Sequence, residues 1–311
     1  MSAVLELNAA APRHFLDLKD FSAPQLRAML EDAARHKRTR RGAKKPLAGK
    51  TLALIFEKPS TRTRVSFEVA MRELGGDVIV LSARDTQIGR GETIAYTARV
   101  LSRYVDGIML RTDSAAKLHA LAQHASIPII NGLTPCSHPC QIMADILTFE
   151  EHRGPIAGQT LAWLGDGNNV ATSLIEAAAR FGFTLRLGCP PAFAPSPEVL
   201  AWAREQGADV RVTADPATAV QGAACLLTDT WLSMADSADE ALARAAALAP
   251  YQVTQALLAH AAPGAIFMHC LPAHRGEEVA AEVMDGPASV VFDEAENRLH
   301  AQKAILAWSL G

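Results

Sequence analysis

Long apolar runs are missing from this 311-residue chain. None approaches the roughly 20 residues needed to span a bilayer, so no membrane association is expected. The N-terminus has no basic region followed by an apolar stretch, which predicts no signal peptide. Cysteine is scarce: Cys136, Cys140, Cys189, Cys225 and Cys270 form an odd set without regular spacing. Such a set fits a reducing cytoplasm rather than a disulfide framework. A lopsided charge is missing too, and the net charge of −3 argues against a general nucleic-acid binder. "CSHPC" (Cys136 to Cys140) holds two thiols around one imidazole. No second ligand cluster follows it and Pro139 stiffens it, so no metal is expected.

What is present is ordinary for a soluble globular protein: 49% hydrophobic and 20% charged residues. The length exceeds one typical core and predicts two domains. The basic run "RHKRTRRGAKK" (Arg35 to Lys45) reads as a solvated helix end and loop, or as a long-range attractor of an acidic substrate.

Short apolar runs alternate with helical stretches, which indicates an α/β protein with parallel sheets and crossover helices. In the first half, strands are expected at Thr51 to Phe56, Asp77 to Ser82, Asp106 to Arg111 and Ile127 to Gly132. Helices are expected after a Ser22 cap and over Thr63 to Leu74, Glu92 to Tyr104, Ala115 to His124 and His138 to His152. After a loop at Arg153 to Gln159 the alternation resumes with "TLAWLG", "TLRLGC", "DVRVT", "ACLLTD" and "AIFMHC". Helices lie between, from Asn169, over "SPEVLAWAREQG", as a short helix after "DVRVT" and near Tyr251 to His260. A final helix follows from Asp293 to the end. The expected division is 1–150, 151–290 and a terminal helix, 291–311, returning to the first domain.

Open parallel sheets bind ligands beyond the carboxyl ends of their strands. After the first strand comes Ser60-Thr61-Arg62-Thr63-Arg64, opening a helix whose Phe67, Ala70, Met71 and Leu74 share one face. A helix N-terminus offers free N–H groups and a positive dipole end. Capping needs one hydroxyl and no guanidinium, so Arg62 there points to an anion. Arg64, with Glu68 and Arg72, reads as a surface ion-pair stripe. The third strand ends in Arg111, and the fourth leads to His138 and Gln141.

The second half repeats the pattern. "GDGNN" (Gly165 to Asn169) lacks the full dinucleotide fingerprint and the Lys-Ser/Thr ending of a phosphate loop. Asp229 ends a strand and reads as an ammonium ligand or as a cap. Cys270 ends another, beside His269, His274 and Arg275, and reads as a buried structural cysteine or a functional thiol.

In order along nearly the whole chain stand "STRTR" with "FEVA", "HPCQ", "GDGNN", "DTWLSM", "HCLPAHRGEEV" and "FDEAENRLHAQKA". On these motifs the chain resembles the aspartate/ornithine carbamoyltransferase family, with "HCLP" and "DTWLSM" pointing to the ornithine branch. The resemblance implies two Rossmann-like domains, one for carbamoyl phosphate and one for the amino acid, in a homotrimer with no cofactor. It implies that Ser60, Thr61, Arg62 and Thr63 bind phosphate. Arg111, His138 and Gln141 would hold the carbamoyl group, with Gln87 facing a neighbouring subunit's substrate. Asn169, Asp229, Ser233 and Met234 would bind L-ornithine. Cys270 and Leu271 would lie by the reacting amine and carbamoyl phosphate, with Arg298 reaching in from the terminal helix. Cys270, Arg111 and His138 would be catalytic, and the product would be citrulline. The family's usual Ser-Met-Gly reads Ser233-Met234-Ala235 here, which leaves another acceptor, such as putrescine or an N-acylated ornithine, as the alternative.

Overall fold

The structure, a computed structural model, describes residues 11–40, 44–82, 91–231 and 238–311. Strands β1 (Thr51–Phe56), β2 (Asp77–Ser82), β3 (Gly107–Arg111) and β4 (Ile129–Leu133) form a parallel sheet in the order β2-β1-β3-β4. Parallel neighbours need crossovers. These are supplied by α2 (Thr61–Glu73), α3 (Ile94–Leu101) and α4 (Ala115–His124), after an opening α1 (Ala23–Arg38). Leu52 and Leu54 pack in one core with Phe67 and Met71, whereas Ala53 and Ile55 pack in another with Leu118 and Leu121. Both faces of β1 are therefore covered, which is why its sequence is continuously apolar rather than alternating.

Helix α5 (Pro139–Arg153) leads to a second parallel sheet of β5 (Thr160–Leu164), β6 (Thr184–Gly188), β7 (Val210–Thr213), β8 (Cys225–Thr228) and β9 (Ile266–His269). Its order is β7-β6-β5-β8-β9. Around it lie α6 (Asn169–Phe181), α7 (Pro197–Glu205), α8 (Pro216–Val220), α9 (Ala238–Leu248), α10 (Gln255–Leu258) and α11 (Ala281–Met284). The strand order reverses between β1 and β3 in one sheet and between β5 and β8 in the other. Crevices open at such reversals, beyond the strand ends.

The last helix, α12 (Val291–Leu310), crosses to the first sheet's helices. Lys303, fully buried, pairs with Glu73 of α2 at 2.9 Å, and Asn297 donates to Thr148 of α5 at 2.9 Å.

One expectation differs from the observed chain path. The single helix expected over Tyr251 to His260 is broken. A 3₁₀ turn at Ala249–Tyr251 is followed by Val253, whose N–H bonds Glu278 O at 2.9 Å, and Thr254 then caps the short α10. The chain leaves the helix there because Val253 pairs with Val279. The basic run from Arg35 is mostly exposed, as expected of a solvated helix end, although some of its cations are paired. Lys37 bonds Glu151 and Asn297 at 2.8 and 2.9 Å, and Arg40 bonds Glu73 at 2.9 Å.

Candidate active site

Helix α2 starts where Ser60 holds an extended backbone and its Oγ accepts the Thr63 N–H at 3.4 Å. Phe67, Ala70 and Met71 bury the helix's apolar face, which aims its N-terminus past the end of β1. Ser60 and Thr61 line a cleft of about 580 Å³ together with Glu57, Pro59 and Arg64. Arg62 is half-buried, with no hydrogen-bond or ion-pair partner among the described residues. Arg64 is exposed and lies 4.0 Å from Glu68, which also pairs with Arg72 at 2.8 Å. Exposed pairs of this kind contribute only about 0.3–0.5 kcal/mol each, so Arg64 belongs to the surface stripe.

Arg111 is re-aimed by a bulge. Leu110 pairs with Asn131 but Arg111 pairs with Leu133, leaving Gly132 as the extra residue. A side chain at Gly132 would meet Met109 Sδ at 2.1 Å, so Met109 would have to move to admit one. Arg111 then reaches Thr63 Oγ1 at 3.4 Å, and Arg298 of α12 donates to the same oxygen at 2.7 Å. Arg298 also donates to Gln141 Oε1 at 2.5 Å. His138 precedes α5, and its N–H bonds Ser173 Oγ of α6 at 2.8 Å.

Three cations thus converge on one helix N-terminus. Burial, then the neighbouring Arg298, lowers the Arg111 pKa to about 10, with Arg62 adding to the effect. Burial lowers that of Arg298 as well. Burial, then Arg298 and Arg111, holds His138 well below its ordinary 6.5, so its ring is neutral at pH 7. Arg111 Nε, Arg298 Nε and His138 Nδ1 are buried with no protein partner. Buried polar atoms are almost always bonded, and a buried unpaired ion costs several kcal/mol. Clustered orphans of this kind mark a place for an anionic ligand rich in acceptors.

The second half of the site has the opposite character. In "GDGNN", Gly165 takes a φ of +114°, and a side chain at Gly167 would meet Pro195 N at 2.3 Å. The second glycine therefore serves the chain's own close packing rather than a dinucleotide. Asn168 caps α6 and its Nδ2 donates to Asp229 Oδ2 at 2.8 Å. The other Asp229 oxygen accepts from Cys270 Sγ at 3.1 Å and Thr230 N at 2.8 Å. Burial, reinforced by Asp229, pushes the Cys270 thiol well up. It therefore stays protonated, which favours an orienting role over a proton-accepting one. Leu271 holds a φ of +59°, rare for a branched side chain, with its N–H on His269 Nδ1 at 2.8 Å and a cis bond to Pro272.

Asp229, His269 and Cys270 bring possible metal-ligand atoms within 4.8 Å of one another. The donor set does not suit a metal. Both ring nitrogens of His269 are already engaged, Nδ1 accepting a backbone N–H and Nε2 facing Glu278 at 3.3 Å. In "CSHPC", Cys140 is buried, donates to Asn131 O at 3.3 Å and has its pKa pushed up to about 12 by burial.

Of the residues expected at a site, Thr63, Arg111, Gln141 and Arg298 are joined by hydrogen bonds, and Asp229 is joined to Cys270. His138 and Arg62 lie within electrostatic range of this set. Asn169 instead donates to Thr134 O at 2.7 Å, and its neighbour Asn168 is the one that reaches Asp229. The strong N-cap preference of asparagine was the signal for Asn168. Gln87, Ser233 and Met234, with Ala235, lie outside the described residues.

Comparison with known proteins agrees in both halves. Residues 13–151 match the model "Aspartate/ornithine carbamoyltransferase, carbamoyl-P binding domain", and residues 157–309 match the corresponding "Asp/Orn binding domain". Ornithine carbamoyltransferase of Rhizobium meliloti (strain 1021) is 60% identical over 302 residues, covering 96% of this chain and 99% of that protein. Its counterpart in Nitrobacter winogradskyi is 60% identical over 304 residues, covering 97% and 98%. The solved ornithine carbamoyltransferase of Pyrococcus furiosus superposes with a TM-score of 0.93 at 48% identity, covering 98% of this chain and 99% of that one. On its motifs, its two parallel sheets and these relatives, the chain belongs to the aspartate/ornithine carbamoyltransferase family.

Proposed function

We infer that this chain transfers the carbamoyl group of carbamoyl phosphate to the side-chain amine of L-ornithine, giving L-citrulline and phosphate, a step of arginine biosynthesis. One observation carries the reading. Three guanidiniums with no carboxylate partner among the described residues gather at a helix N-terminus, and Cys270, bonded to Asp229, lies within electrostatic range of Arg111 and Arg298. Its support is the similarity to enzymes named ornithine carbamoyltransferase.

In this reading Ser60, Thr61, Arg62 and Thr63 bind the phosphoryl group, aided by the N–H groups that Ser60 leaves free. Arg111 and neutral His138 point at the carbamoyl oxygen, where negative charge develops in the tetrahedral state. Gln141 and Arg298 complete that wall. Asp229 takes the α-ammonium of ornithine, with Asn168 or Asn169 and the 233–234 segment completing the pocket. The uncharged side-chain amine attacks the carbamoyl carbon, a C–N bond forms, and the C–O bond to phosphate breaks. The phosphate leaves with the bonding pair and the amine gives up a proton. Carbamoyl phosphate is already activated, so positioning and electrostatics supply the catalysis and no cofactor is needed.

The assembly we propose is a homotrimer in the cytoplasm. Tyr96 and Tyr104, at and beyond α3, are 60% and 74% exposed, and Ile79 of edge strand β2 is exposed too. Apolar surface of this kind marks a protein contact. Sedimentation velocity tests it, with a species of one chain's mass as the contrary result.

The acceptor is tested by mixing purified protein and carbamoyl phosphate with ornithine, putrescine, N-acetylornithine or aspartate. Citrulline as the dominant product is expected. Preference for an acceptor lacking a free α-ammonium would overturn the Asp229 assignment.

A further inference from the structure

Behind this site lies a polar cluster that the proposed reaction does not use. Glu294, in the first turn of α12, and Asp145, midway along α5, are 1% and 2% exposed. Their carboxyl groups interact directly. Burial raises both, and the charge of Asp145 raises Glu294 further, so the protonated form of the pair is favoured. Replacing a buried ionic pair with apolar groups is often neutral for stability, so stability alone is a weak reason for two buried carboxyls.

The geometry offers a different reason. Gln141 Nε2 donates to Asp145 Oδ1 at 2.8 Å and to Glu294 Oε1 at 2.9 Å. Two acceptors on that side fix which way the amide faces, leaving its carbonyl oxygen for Arg298 NH1 at 2.5 Å. Arg298 NH2 continues to Thr63 Oγ1 at 2.7 Å. The second oxygen of Glu294 accepts the backbone N–H of His269, one residue before Cys270, at 2.8 Å. One hydrogen-bonded path thus runs from the acceptor side to the phosphate side: His269, Glu294, Gln141, Arg298, Thr63.

We propose that Glu294 is a positioning residue that sets the two half-sites in one geometry, holding the end of β9 with one oxygen and the orientation of Gln141 with the other. Asp145 is its proton partner. This rests on the function proposed above.

The test is a contrast between two nearly isosteric variants. In Glu294→Gln, the amide oxygen is needed by His269 N–H, so its NH2 faces the NH2 of Gln141. Gln141 must turn over, and its NH2 then opposes Arg298. In Asp145→Asn, Glu294 keeps both of its acceptor duties. The expected result, by analogy with the loss of one preorganised donor, is a kcat reduced about 100-fold in Glu294→Gln, with the ornithine KM changed less than about threefold. Asp145→Asn should retain kcat within about threefold despite a comparable drop in Tm. A near-normal kcat in Glu294→Gln, or equal losses in both variants that track Tm, would overturn the proposal. If Glu294→Gln does not fold, Glu294→Asp, which keeps the acceptors but shortens their reach, should still lose more kcat than Asp145→Asn. Parity between those two counts against it. Wild-type citrulline formation is measured first. Its absence would refute the proposed function, whereas a defect confined to the Glu294 variants bears on this inference.

Discussion

The two halves of the crevice solve opposite electrostatic problems. On the phosphate side, Arg111 and Arg298 are drawn together at a helix N-terminus, and buried nitrogens of both lack protein partners. On the acceptor side, both oxygens of Asp229 are bonded, to Asn168 and to Cys270 and Thr230. A strongly held polyanion offsets the repulsion among cations that the fold otherwise sustains. In the proposed reading, an amine arriving at Asp229 exchanges existing hydrogen bonds for its own charge-assisted ones. On that reading the phosphate half serves affinity and charge stabilisation, and the acceptor half serves selection.

Removing the unpaired cation should break this contrast most severely. Arg62→Ala is expected to lower kcat/KM for carbamoyl phosphate about 10³-fold, because charge-assisted contacts to a transferring group are lost. Its melting temperature should be near that of the wild type, since Arg62 has no hydrogen-bond or ion-pair partner among the described residues. Citrulline assays and thermal melts check both parts, and near-normal synthesis would sink the anion-site reading.

Next in size, Asp229→Asn is expected to raise the ornithine KM by between about ten- and a hundredfold, the worth of hydrogen bonds to a charged group. Carbamoyl-phosphate affinity, followed by calorimetry, should hold within about twofold. Equal losses for both ligands would erase the distinction between the halves.

Ser60→Asp sharpens the question of cap against ligand. Aspartate caps as well as serine, so stability should change by less than about 0.5 kcal/mol. A carboxylate beside the phosphate should nonetheless abolish carbamoyl-phosphate binding. Retained binding would mean that Ser60 is a cap only.

The smallest effect is on acid stability. The folded-state pKa of His138 lies below the ordinary 6.5, so the unfolded chain binds more protons as pH falls through that value. Its contribution to stability is full above about pH 6.5 and declines below it. His138→Asn should therefore narrow the gap in Tm between about pH 7 and pH 5. His14 and His36, also lowered by burial, keep part of the slope in place. An unchanged gap would show that His138 is already charged.

Local order along the chain was legible because its causes are local. Continuous apolar runs, helix periodicity and a serine followed by an apolar face are short-range signals, and they placed β1, α2 and the parallel alternation. The same signals failed at Tyr251 to His260, where pairing of Val253 with Val279 overrides local propensity. Residues 238–248 form a helix that periodicity had not marked, since few apolar positions there face a core.

The sequence by itself therefore determined the two-sheet α/β plan, the cap at Ser60, the cation at its helix end and the ordered motifs that point to a family. Only the tertiary structure decided which charges meet. Arg298 lies 235 positions from Thr63, and it reaches it because α12 is wedged against helices of the first sheet. Arg111 is aimed by a bulge at Gly132, and Asp229 is held by Asn168. Pairings of this kind depend on contacts between distant segments, and no local pattern of residues encodes them.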